Sequence, residues 1–223
     1  MDDQIARWLS SARYATRAAE ANAEFAQLED ALDSADVTVR LTAARRLSSL
    51  ARAELGWFLL PVREYFLRAE TRRMLGGALR AEADVKVRDS LLNTVRHAAE
   101  RCVAHPMWEP VRAAAQEREW RDWVHSLAET FSVAPELSTR AEAAYLLAFC
   151  DDGRAWEVYR DVIPRRSGLL GTLELAIERY PLSITPEIGA TLLDLADTVG
   201  STHPRQRYPA AGIRAALTGR HRE

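Results

Sequence analysis

The chain has 223 residues, 48% of them hydrophobic and 28% charged, enough to bury one sizeable core. Its 30 basic residues stand against 32 acidic ones, a net charge of −2 that argues against a protein built mainly to coat nucleic acid. Two cysteines, Cys102 and Cys150, cannot make a disulfide framework, so a reducing compartment with both thiols buried is expected. The start, Met1-Asp2-Asp3, is acidic where a signal peptide is basic, and the apolar run Trp57 to Val62 is far short of a membrane span. These features predict a cytoplasmic protein with no membrane partner.

Ten glycines and nine prolines leave long stretches rich in Ala, Leu, Arg and Glu, all strong helix formers. In the first stretch Ile5, Trp8, Ala12, Ala15, Ala18, Ala21, Phe25 and Leu28 recur at steps of three and four, one stripe of a single amphipathic helix. Joints follow at Ser34-Ala35-Asp36, Glu82-Ala83-Asp84, Ala134-Pro135-Glu136, Asp151-Asp152-Gly153, Pro164, Pro181 to Pro186 and Gly200 to Pro204. Gly76-Gly77 reads as a helix end and Gly168 with Gly171 as a close helix contact. No stretch alternates with a period of two, so the chain is expected to be all-α. No linker divides it, so one domain over 1–223 is expected.

The chain also repeats itself. Ala-Asp-Val-Thr-Val-Arg at 35–40 returns as Ala-Asp-Val-Lys-Val-Arg at 83–88, 48 residues on and identical at five of six positions. Pro-Glu-Leu-Ser-Thr-Arg at 135–140 follows as a looser third copy. After each arginine the apolar steps agree: Ala44 and Leu47, Leu92 and Val95, Ala144 and Leu147. Two helices per unit at this period are the mark of an α-solenoid. The stretch 31–47 resembles the second half of a HEAT repeat, in which an Asp closes the inter-helix turn and Val-Arg opens the second helix. Residues 82–95 match nearly as well, and 135–147 in pattern only.

The resemblance implies a right-handed α-α superhelix of about five helix pairs. The pairs fall at 21–52, 59–100 and 119–150, with weaker ones at 153–180 and 185–217. Val39 and Leu47 are then expected in the core between helices. Arg40, Arg88 and Arg140 either line a groove as a row of cations or bond the turn acids Asp36, Asp84 and Glu136, tying one repeat to the next. The resemblance favours the second.

In a HEAT-like pair the second helix lines the concave side. Its outward positions here are Leu41, Thr42 and Arg45, then Asp89, Ser90 and Asn93, then Ala141, Glu142 and Tyr145. This mixed surface of both charge signs suits a protein or peptide partner and lacks the dense positive charge that a DNA groove requires. A non-catalytic interaction scaffold is the first reading, with Thr42, Arg45, Asp89, Asn93, Glu142 and Tyr145 as its binding residues. The alternative starts from Trp120-Arg121-Asp122-Trp123-Val124-His125, where the tryptophans share one helix face and Asp122 shares another with His125. HEAT-like alkylpurine DNA glycosylases use tryptophans and an aspartate, so Trp120, Asp122 and Trp123 form the alternative site.

Cys102-Val103-Ala104-His105 has the letters of half a metal site, but no second ligand pair stands at suitable spacing. There is no His-Glu dipeptide, no nucleophile elbow and no phosphate-binding glycine loop, so no metal or cofactor is expected. Charge is uneven along the chain. Residues 1–36 carry a net −5 and residues 201–223 a net +4, which suits head-to-tail contact or a frayed basic tail.

Overall fold

The structure, a computed structural model, describes residues 2–53, 56, 59–111 and 113–219. Among them are twelve α-helices and no strand: α1 (Asp2–Leu9), α2 (Ala12–Leu32), α3 (Val37–Arg52), α4 (Leu60–Leu67), α5 (Ala69–Ala81), α6 (Val85–His97), α7 (Ala114–Ser132), α8 (Leu137–Phe149), α9 (Arg154–Arg165), α10 (Leu170–Arg179), α11 (Pro186–Thr202) and α12 (Arg207–Gly219). No helix among the described residues is long and apolar enough to cross a membrane. Trp57 and Phe58 of the apolar run lie outside the described residues, as do Arg220, Arg222 and Glu223 of the basic end. The chain divides into two compact units, Met1–Trp123 and Val124–Glu223.

α2, α3, α6 and α11 each begin at a side-chain cap. Asp36 accepts from the Thr38 amide at 2.8 Å and Asp84 from those of Lys86 and Val87 at 2.9 and 3.1 Å, which uses their carboxylates at the N-termini of α3 and α6. The single first helix expected from the apolar stripe is two helices. Ser11 breaks it, its hydroxyl accepting from the Tyr14 amide to start α2. Two later joints fall close to where they are expected. α9 runs through Pro164 to Arg165, the proline removing one backbone hydrogen bond from its last turn, and α11 runs through Gly200 to Thr202, ending inside the expected Gly200 to Pro204 joint.

In the first unit α2 packs on α3 and α4, and α3 lies alongside α6, its most extensive partner. Phe25 stacks on Tyr65 with ring centroids 3.5 Å apart and meets Phe66 edge-on. Two phenols clamp α2 to α4, Tyr14 donating to Glu64 at 2.5 Å and Tyr65 to Glu29 at 2.8 Å. After α6 the chain widens into a π-helical turn, Ala98–Val103, which packs on α3 and α4. Beside it Arg63, only 3% exposed, lies over the buried Trp108 ring.

Burial along α3 corrects one expectation. Leu47 is fully buried, but Val39 is 41% exposed, whereas its repeat counterpart Val87 is fully buried. Val87 shares a face of α6 with Thr94, whose hydroxyl reaches the Ala44 carbonyl of α3, so α3 covers that face. On the matching face of α3, Val39 and Arg46 are exposed, with Arg46 held at its tip by Glu24 of α2.

In the second unit α8, α10 and α12 pack in succession, while α9 packs on α8 and α11. Gly168 and Gly171 make no close contact, contrary to expectation, and Gly76-Gly77 lies mid-helix in α5. The close approach is at Gly200, where a Cβ would stand 2.7 Å from that of Ala210 on α12. Gly200→Ala is therefore expected to cost about 1–2 kcal/mol in urea unfolding. Gly77→Ala, with nothing within 4 Å, should gain about 0.5–1 kcal/mol because only helix propensity changes.

Candidate functional site

The three repeated arginines are occupied. Arg40 holds Glu82 with two hydrogen bonds, Nε to Oε2 at 2.8 Å and Nη2 to Oε1 at 3.1 Å, and its Nη1 donates to the carbonyls of Ser34 and Ala35. The Arg40 bond holds the Glu82 carboxyl below its ordinary range. Arg88 donates to the carbonyls of Glu82 and Ala83, and Arg140 to that of Ser132, each closing the end of the preceding helix. Arg140 also reaches Asp161 of α9 at 2.6 Å. The ion pairs expected with Asp36 and Asp84 are replaced, for Arg40, by one with Glu82, since both aspartates serve as caps.

The outward positions of α3 and α6 form one strip, because the two helices lie side by side in the same repeat register. Thr42 and Arg45 are exposed; Leu41, Asp89, Ser90 and Asn93 are half-buried. Thr42 and Ser90 return their hydroxyls to the carbonyls of Thr38 and Lys86, and the Asn93 amide donates to the Asp89 carbonyl. Arg45 makes no hydrogen bond or ion pair among the described residues.

The third copy departs from that pattern. Glu142 is half-buried, but Ala141 and Tyr145 are fully buried, so Tyr145 is not a surface contact. Its ring meets Tyr180 edge-on at 5.5 Å and its hydroxyl accepts from Arg179 at 3.2 Å. The reason is packing: α9 and α10 both cover α8, which buries all of Ala143 to Phe149.

The tryptophan cluster separates into parts with different surroundings. Trp120 is fully buried, edge-on to Trp123 with centroids 4.9 Å apart, and is no stacking surface for a ligand. Asp122 is exposed. Trp123 is half-buried and lines an open groove of about 370 Å³ with Ala69, Arg72, Arg73 and Arg80 of α5. These arginines belong to no motif in the sequence. Their signal was the mid-helix Gly76, set four residues from both Arg72 and Arg80, which leaves the groove floor without a side chain.

His125, expected to pair with Asp122, pairs instead with Asp152 in the turn before α9. Its Nε2 stands 2.8 Å from Asp152 Oδ2. Arg154 bonds the same carboxylate and also Glu129, which holds Asp152 well below the usual carboxylate range. Asp151 beside it takes a left-handed φ of 60° as α8 ends, a conformation aspartate tolerates. The network fastens α7 to the α8–α9 turn, and every group in it is bonded.

Cys102 is buried, its thiol 3.8 Å from the Ala51 carbonyl and pushed up to about 12 by burial. His105 accepts from the Met107 amide through Nδ1. At the basic end Arg214 pairs with Asp197 at 2.5 Å, while Arg205 and Arg207 are exposed. Comparison of the chain with family models and with curated proteins finds no match.

Proposed function

We propose that the chain is a HEAT-like stack of helix pairs acting as a non-catalytic binding module, with a protein or peptide partner held along α3 and α6. The observation that carries this reading is the strip Thr42, Arg45, Asp89 and Asn93. It spans two helices locked side by side, with the Arg40–Glu82 pair bridging their repeats. A partner crossing such a strip gains contacts from both helices without ordering any loop, and binding to a preformed surface loses less entropy. One cation, one anion and two neutral polar groups set orientation and specificity for a protein surface. The glycosylase-like alternative calls for two open tryptophans, and the burial of Trp120 removes one of them.

Quantitative affinity capture from the native host tests the proposal. The bait is compared with Arg45→Glu/Asn93→Lys and with the exposed control Arg160→Glu. A protein retained by the native chain and the control but lost from the double variant is the expected result. Release of an alkylated base from duplex DNA, abolished in Asp122→Asn, would reverse the choice.

A further inference from the structure

From the α5–Trp123 groove we infer a second binding site, for an acidic peptide segment, in which Arg80 takes a carboxylate and Trp123 receives the neighbouring apolar side chain. The inference rests on reading the chain as a binding module but uses a surface other than the α3–α6 strip. Three features of the groove carry it.

The first is the floor. Gly76 has no side chain, and both the Arg80 guanidinium nitrogens and Trp123 Nε1 converge on the space a Cβ would fill, at 3.4 to 3.6 Å. A planar cation and an indole edge therefore meet at one spot.

The second is the state of the cations. Arg72 is held by Glu119 at 2.7 Å and the Leu67 carbonyl at 3.5 Å, and Arg73 by Glu70 at 3.0 Å. Arg80 is exposed and makes no hydrogen bond or ion pair among the described residues. Its fork matches a carboxylate with two parallel hydrogen bonds, and the indole beside it supplies apolar contact.

The third is the local charge sum, which selects the ligand class. A nucleic-acid backbone needs several uncommitted cations in a row. Here Glu70 and Glu119 neutralise two of the three arginines, and exposed Asp122 adjoins Trp123 in sequence. One open guanidinium next to an indole fits a single carboxylate flanked by an apolar side chain, the pattern of Asp or Glu next to Leu or Phe.

Fluorescence polarisation on the full chain is the test, with a labelled peptide alternating Asp or Glu with Leu and Phe as the probe. A lysine-for-acid version of the peptide and single-stranded oligothymidine complete the set. The acidic peptide should bind, the lysine version should not, and Arg80→Glu and Trp123→Ala should each weaken binding by about tenfold or more. Arg80 is exposed, so its variant should melt like the native chain, which separates lost binding from lost folding. Arg45→Glu should leave the affinity unchanged. Failure of the native chain to bind, equal binding by Arg80→Glu, or preference for oligothymidine would each overturn the inference. Weakening by Arg45→Glu alone would move the peptide to the α3–α6 strip, refuting the groove while leaving the strip intact.

Discussion

Leu47→Asp is expected to destabilise the protein by about 4–5 kcal/mol, while Val39→Asp shifts stability by less than about 0.5 kcal/mol. Both are apolar residues of α3 inside the repeated pattern, so the difference comes from packing alone. Leu47 is fully buried between α3 and its neighbours. Its replacement removes several buried methylene groups and leaves a carboxylate buried away from water. Val39 is 41% exposed, and an aspartate there remains hydrated. Urea unfolding monitored by circular dichroism reads both values. Equal losses in the two variants would mean that the α3 face carrying Val39 is covered, and would contradict its exposure.

The second large effect is acid sensitivity at His97, in the last turn of α6 and 8% exposed. Burial pushes its pKa down to about 4 from 6.5. Arg96, Arg52 and Arg101 add to this, and Glu100, 4.0 Å away, opposes it. The unfolded chain takes the proton near pH 6.5, the folded one only near 4. Between those values the unfolded state binds more protons, so stability is full above pH 6.5 and falls as the pH drops toward 4. The loss amounts to about 2–3 kcal/mol at most. His105, also lowered by burial, contributes in the same direction. Glu82, held low by Arg40, adds a further loss only below pH 4.5. The decisive comparison is therefore the native chain against His97→Gln, whose stability should change less between pH 6.5 and 4.5. Identical pH profiles would show that the ring is already protonated in the fold.

Much of this architecture was legible in the residues. Asp36 and Asp84 announced the starts of α3 and α6 because a capping carboxylate acts locally, and the 48-residue repeat announced that these two helices are equivalent. What the repeat could not convey was that equivalent positions face different neighbours. Val39 and Val87 share a motif but not a cover, and Tyr145 holds the place of Arg45 and Asn93 yet lies under α10. The arginine partners were half legible. The reach of Arg140 to Asp161 depends on how helices stack, and Glu82 was hidden behind the more obvious Asp84. Glycines misled for a related reason: the spacing of Gly168 and Gly171 suggests a contact, but only packing reveals that Gly200 has Ala210 against it. The arginines of the α5 groove carried no motif, since they converge on Trp123 only after α5 and α7 have met.

The proposed function requires a partner on the strip formed by α3 and α6. Hydrogen–deuterium exchange on the full chain, alone and with the protein captured by it, addresses this most directly. Slower exchange within 41–49 and 89–97, with α11 and α12 unchanged, is the predicted result. Protection confined to α11 and α12, or none anywhere on α3 and α6 in a saturated complex, would contradict it.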